Sequence, residues 1–137
     1  MKSLWQDEEG SFSGRHVNVP PSWSWPKPVQ RPHPPVLIGG AAGPKMFRHV
    51  VDYADGWMPI GGRGLTENLP KLRALAEEAG RDPASIRITV FGSEANPAKL
   101  EHFASLGAER VVFWLPPAPR ETVLPVLDRY AELVGTA

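Results

Sequence analysis

The sequence predicts an α/β fold of four consecutive βα units over residues 36–137, preceded by a proline-rich connecting arm and helix tail over 1–35. Three observations predict it. Short apolar runs begin near residues 36, 56, 86 and 110; each is followed by apolar residues at helical spacing; and Gly or Pro punctuates the junctions. Alternation of this kind implies parallel strands, right-handed crossovers and helices on the outer face. Four units make either a small open sheet covered by helices or one half of an eight-unit barrel. A complete barrel needs about 250 residues, and the chain has 137.

Composition narrows the partners. Fifteen basic and fifteen acidic side chains cancel, so no broad field favours nucleic acid or an anionic membrane. The absence of cysteine excludes disulfides, thiolate metal ligands and cysteine nucleophiles. Residues 1–9 contain no apolar signal core, and there is no run of 18 apolar residues. The expectation is a cytoplasmic protein.

Residues 1–9 read as the end of a helix, since Leu4 and Trp5 have no preceding turn to complete a buried face; that points to a part upstream. Residues 15–19 read as a short extended piece. Seven of the sixteen prolines fall in 20–35, each removing a donor and fixing φ, which makes an extended, semi-rigid arm. Trp23 and Trp25 point the same way in an extended chain. They read as anchors of the arm against a core, in preference to a polyproline ligand or a lid. His33, among prolines, reads as a loop residue.

Val36-Leu37-Ile38 is the first strand, Gly39-Gly40 its exit, and Pro44 suits the first turn of a helix over 44–54 with Phe47, Val50, Val51 and Ala54 as its stripe. Asp55-Gly56 reads as a turn. Gly56-Trp57-Met58-Pro59-Ile60 is a second strand whose pairing loosens at Pro59, ending in Gly61-Gly62-Arg63-Gly64. The next helix starts in 66–69 with Thr66 or Asn68 as cap, carries Leu69, Leu72, Ala76 and Ala79, and stops at Gly80. The β-branched run 86–92 is the third strand. Asn96-Pro97 opens a helix with Leu100, Phe103 and Ala104 buried, ended by Gly107. Residues 110–115 form a fourth strand, apolar enough to be covered on both faces. Thr122 caps a last helix with Pro125 in its first turn and Val123, Val126, Leu127, Tyr130 and Leu133 or Val134 as its stripe.

Ligands of such folds collect at the strand C-terminal ends. That rim holds Gly39-Gly40, the 61–64 loop, Gly92 to Glu94 and Pro116. A Gly-rich turn into a helix N-terminus offers unpaired amides to an anion, so 39–44 is either a phosphate cradle or a close-packed turn without ligand. No metal constellation appears, because the four histidines are scattered. His49 and His102 read as solvated or capping residues, and Glu94 as an exposed loop carboxylate rather than a general base. The P-loop, dinucleotide and nucleophile-elbow patterns are missing.

Pro28-Val29-Gln30-Arg31-Pro32, Pro34-Pro35-Val36-Leu37-Ile38-Gly39-Gly40 and Tyr53-Ala54-Asp55-Gly56-Trp57-Met58-Pro59 give the chain its family likeness. In their order and spacing it resembles the C-terminal half of the luciferase-like monooxygenase superfamily, especially its F420-dependent oxidoreductases. The resemblance implies a (β/α)8 TIM barrel in the intact enzyme, with these four strands as its fifth to eighth. It implies that Gly39, Gly40 and Ala41 hold a cofactor phosphate, with Ile60 and Gly61 beside them and Arg63 facing an anionic substrate. F420 is the implied cofactor and FMN the alternative, with a small organic substrate. The strands that carry most acid–base and substrate contacts in that family are absent, so catalytic residues do not carry over. A half barrel also exposes two strand edges and an apolar face, which implies self-association, a separate N-terminal half, or a non-catalytic role through association alone.

Overall fold

The computed structural model describes residues 1–135, which separate into a first unit, Met1–Pro35, and a second beginning at Val36. The first unit contains helix α1 (Lys2–Gln6) and an antiparallel hairpin of β1 (Gly10–Ser13) and β2 (Asn18–Ser22). The hairpin corrects the reading of 15–19 as the extended piece and of 20 as the start of an irregular arm. Its register is irregular between Gly10 and Phe12, opposite the stretch holding Pro20 and Pro21. Prolines are tolerated at such a bulge, where ladder donors are not required.

Trp23 and Trp25 are 76% and 66% exposed, which corrects their reading as anchors. Other residues tie the arm down. Lys27 Nζ donates to the carbonyls of Leu4 (2.9 Å), Asp7 (2.6 Å) and Glu8 (3.3 Å), satisfying acceptors at the end of α1. Trp5 packs against the His33 ring with centroids 6.0 Å apart.

The second unit runs β3 (Leu37–Gly39), α2 (Pro44–Tyr53), β4 (Gly56–Met58), α3 (Leu65–Glu78), a 3₁₀ turn (Pro83–Ser85), β5 (Arg87–Ser93), α4 (Pro97–Ser105), β6 (Arg110–Phe113) and α5 (Arg120–Gly135). All strand pairs are parallel and the sheet order is β3-β4-β5-β6. An open doubly wound sheet reverses direction partway. Here every crossover steps the same way, so the helices share one face. Phe47, Val50 and Val51 of α2, Leu65, Leu69, Leu72 and Ala76 of α3, and Phe103 of α4 close over Trp57, Ile88 and Val90. The α/β expectation of four consecutive βα units with helices on one side is what the chain adopts.

Several local readings are corrected. α3 begins at Leu65 rather than at 66–69: Gly64 takes a left-handed conformation (φ +70°), Leu65 is buried, and the Asn68 side chain donates back to the Gly64 carbonyl at 2.8 Å instead of capping. Pro70 therefore lies inside the helix. The burial of Leu65 pulls the start forward by a turn. At the other end Gly80 (φ +71°) closes α3 as expected, with Gly80 N–H donating to Glu77 O and Arg81 N–H to Ala76 O. Ala79 and Ala104 are exposed, off the buried stripes.

The helix α5 starts at Arg120, with Thr122 donating its amide to Pro119 O at 2.9 Å rather than capping. Pro125 is again interior. β6 ends at Phe113 and none of its residues is buried, which corrects the expectation of cover on both faces; it is an edge strand. α4 follows its reading, with Asn96 Oδ1 accepting from the Lys99 amide at 3.2 Å and Pro97 in the first turn.

Asp55 does more than form a turn. Its Oδ2 accepts from the Val36 amide at 2.6 Å and its own amide donates to Val36 O at 2.7 Å. Its carbonyl accepts from Arg87 N–H at 3.0 Å. One residue thus joins the entries of three adjacent strands. Asp55→Ala leaves the half-buried Val36 amide without its partner and is expected to lower unfolding free energy by about 1–3 kcal/mol, read from urea denaturation with an unchanged m-value.

Candidate functional site

Three strand ends converge on one cavity. It measures about 540 Å³ and is lined by Gly40, Ala41 and Ala42 after β3, by Trp57, Pro59, Ile60, Gly61 and Arg63 around the end of β4, by Gly92, Ser93 and Glu94 at the end of β5, and by Lys99 of α4. The cavity lies on the rim expected from the βα layout. Of the residues singled out in the sequence, Gly40, Ala41, Ile60, Gly61 and Arg63 line it together. Gly39 closes β3 but lies outside the lining.

The wall nearest α2 is backbone. Gly40 has φ +151°, and a Cβ there would lie 2.5 Å from Met46 Cε. Its amide donates to Met58 O at 3.3 Å, and its carbonyl accepts from buried Trp57 Nε1 at 3.0 Å. Gly40 is therefore pinned from both sides. Among the described residues, the amides of Ala41, Ala42 and Gly43 donate to no other group. α2 has Pro44 in its first turn and no side-chain cap. Unpaired amides ahead of an uncapped helix N-terminus carry partial positive charge.

Pro59 breaks β4 as expected, yet the chain rejoins the sheet. Ile60 bridges to Phe91, Phe91 N–H donates to Pro59 O at 2.9 Å, and Gly61 N–H donates to Phe91 O at 2.6 Å. This keeps Gly61 at the rim, while Ile60 turns outward at 62% exposure. The Gly61 amide is used by the sheet, so its contribution to the cavity is shape: φ is +65° and the space beside it is open.

At β5 the register shifts between Phe91 and Ser93. Gly92 takes φ +73°, and a Cβ there would meet the Trp114 indole. Trp114 also packs edge-on to Phe91, with centroids 5.3 Å apart. The bulge tilts Gly92 to Glu94 into the cavity.

Charge at the site comes from three side chains. Arg63 is exposed and makes no hydrogen bond or ion pair with other described residues. Lys99 Nζ lies 2.6 Å from Glu94 Oε2. The hydrogen bond from Lys99, and then its charge, hold the Glu94 carboxyl below the usual carboxylate range. A depressed carboxyl contributes stability above its ordinary pKa and loses it as pH falls through the lowered value. Near neutrality the pair is intact. Both partners are largely exposed, so its effect on stability is small.

Gly92 to Glu94 line the cavity as the rim reading expected, Pro116 lies outside the lining, and Trp57, Pro59 and Lys99 join the site beyond the residues placed on the rim. Lys99 sits one turn into α4, so its reach to Glu94 was readable from the Asn96-Pro97 start. The Trp57 hydrogen bond had no local signal. His49 and His102 stay away from the cavity: His49 packs near Tyr53, and His102 Nε2 lies 3.1 Å from Thr66 Oγ1. Among the described residues no three His, Asp or Glu side chains are grouped to hold a metal, and no helix is long and apolar enough to cross a membrane.

The luciferase-like monooxygenase family model matches residues 1–95. The chain belongs to this family. Among its relatives is an uncharacterized protein of Mycobacterium tuberculosis, 36% identical over 132 residues, covering 96% of this chain and 46% of the relative. Another is the F420-dependent glucose-6-phosphate dehydrogenase of Kineococcus radiotolerans, 27% identical over 123 residues, covering 85% of this chain and 34% of that enzyme. The chain thus spans about half or less of the length of these relatives. Among solved structures, an F420-dependent secondary alcohol dehydrogenase in complex with an F420-acetone adduct matches 96% of this chain and 50% of its own, at 17% identity and a TM-score of 0.52. That likeness establishes the fold: the four βα units are one half of a TIM barrel.

Gly92→Ala forces a positive φ on alanine and displaces Trp114 from its seat. The expected cost is about 1–3 kcal/mol of unfolding free energy, measured by chemical denaturation with near-ultraviolet circular dichroism as the probe of aromatic packing.

Proposed function

We propose that this chain carries the cofactor-phosphate side of an F420-dependent oxidoreductase that transfers hydride between the deazaflavin and a small organic substrate. The observation that carries the proposal is the run of unpaired amides from Ala41 to Gly43 at the uncapped start of α2, of which Ala41 and Ala42 line a cavity that also holds Arg63 and Lys99. Such a wall suits a phosphate oxygen, because the amides satisfy its lone pairs and the helix dipole its charge. The F420-dependent relatives favour that cofactor. FMN also presents a phosphate and is the alternative.

In this reading the bound deazaflavin supplies the hydride chemistry, and the chain's own residues bind and orient. Ala41 to Gly43 donate to the phosphate. Trp57 holds the Gly40 carbonyl out of the cradle by keeping it hydrogen-bonded inward. Gly40 and Gly61 keep the approach clear of side chains, and Ile60 presents an apolar wall at the mouth. Arg63, free of an internal partner among the described residues, neutralises an anionic group. Lys99 is partly spent on Glu94. In the family scheme the four strands correspond to the fifth to eighth of the barrel, and residues 1–35 to the connection leading into them.

Titration of the full chain with F420, FMN and inorganic phosphate tests the reading. Saturable binding of a phosphate-bearing cofactor supports it; a folded sample that binds none of the three overturns it. Gly40→Val crowds Met46 and disfavours the Gly40 conformation, and should weaken cofactor binding about tenfold or more.

Charge gives a second measurement. Glu94→Gln removes a negative charge from the cavity and releases Lys99, so phosphate binding should tighten by roughly two- to fivefold. Arg63→Met should weaken it by a similar factor. Both changes should fade at high ionic strength, as followed by isothermal titration calorimetry.

A further inference from the structure

We propose that Glu94 makes the cavity discriminate by ligand charge, favouring a singly charged phosphodiester over a doubly charged phosphomonoester. The inference rests on the phosphate reading of the cavity and adds to it the class of phosphate taken.

Glu94 is held in place from two directions. It follows the irregular register of β5, where the hydroxyl of buried Ser93 donates to the Glu94 carbonyl at 3.1 Å. Its carboxylate is fixed by Lys99 Nζ at 2.6 Å, and the Asn96 side chain caps the turn of α4 that carries Lys99. With Arg63, which belongs to the loop after β4, these two are the charged groups that line the cavity among the described residues. Lys99 is matched by Glu94, which leaves Arg63 uncompensated. One such charge balances a diester, whereas a monoester carries about 1.5 to 2 negative charges near neutrality.

A sphere of the cavity's volume, about 540 Å³, is roughly 10 Å across, close to one Debye length at ~0.1 M salt. An anion anywhere in the cavity therefore feels the carboxylate. The Lys99 hydrogen bond, and then its charge, keep the Glu94 carboxyl ionised wherever the two phosphate classes differ in charge. Repulsion by a fixed charge scales with the charge of the ligand. A factor gained by a monoanion on removing that charge becomes about its square for a dianion. A change of shape carries no such dependence. F420 presents its phosphate as a diester and FMN as a monoester, so the same carboxylate ranks the two cofactors. Charges elsewhere around the site act alike on wild type and variant, and they cancel from the comparison.

Titration of the isotope-labelled chain with dimethyl phosphate and with methyl phosphate tests the proposal, at low salt and about pH 7.5, above the second pKa of the monoester at about 6. The amide signals of Ala41 and Ala42 in nuclear magnetic resonance spectra report binding in wild type, Glu94→Gln and Glu94→Asp. The Glu94 side chain is 81% exposed, so both variants should keep the fold. Glu94→Gln should tighten dimethyl phosphate roughly twofold and methyl phosphate roughly fourfold. Glu94→Asp, which keeps the charge, should keep the wild-type ratio of the two affinities, and the Gln effect should collapse at ~1 M salt. Equal tightening of both ligands, no tightening, or a ratio that Glu94→Asp moves as far as Glu94→Gln overturns the discrimination and leaves the phosphate site standing. A folded chain whose Ala41 and Ala42 signals respond to neither ligand overturns the phosphate reading and this inference together.

Discussion

The hydrogen bond from Trp57 Nε1 to the Gly40 carbonyl joins the core of the second unit to its cavity. The indole is fully buried and packs edge-on to Phe47 of α2, with centroids 5.3 Å apart. Its ring belongs to the hydrophobic cluster, while its single donor reaches the loop leaving the neighbouring strand. A buried indole N–H needs a partner, and that need fixes which way the Gly40 peptide turns. The same peptide unit carries the Ala41 amide, so its direction is set with that of the carbonyl. Packing between β4 and α2 thereby sets the backbone geometry of a surface loop.

Strand order has an equally wide reach. Four parallel strands in consecutive order leave their helices no choice of face, so one side of the sheet is closed by α2, α3 and α4 and the other stays half-buried. Asp55 holds the strand entries together at one end. At the opposite end the chain departs from regularity at three of the four strands: Gly40 after β3, Pro59 and Gly61 after β4, and the Gly92 bulge in β5. Order at one rim and irregularity at the other separate the part that holds the sheet together from the part that can receive a ligand.

Much of this was legible in the sequence because its signals are local. The strand runs, the Pro44 and Asn96-Pro97 helix starts, the Gly80 stop and the break at Pro59 each depend on a few neighbouring residues. The errors arise where distant packing decides. Leu65 is drawn into the core and moves the start of α3; Pro20 and Pro21 sit in a hairpin because its irregular register tolerates them; β6 reads as apolar on both faces but has a neighbour on only one edge. For the cavity, Gly40, Ala41, Ile60, Gly61 and Arg63 could be placed at strand ends one by one. That they surround a single space with Lys99 and Glu94 is a property of the sheet. The Trp57 bond, which fixes the Gly40 carbonyl, leaves no trace in local sequence.

The unburied face of α5 also bears on how the second unit comes apart. Cooperative units within a protein open in the order of the apolar surface they bury, and β6 with α5 is joined to the rest by one strand edge and few buried groups. Its amides should exchange with solvent ahead of those in β4, α2 and α3, whose side chains form the core. The sheet would then fray from its last unit inward, and anything that settles on that edge would order the chain as it binds.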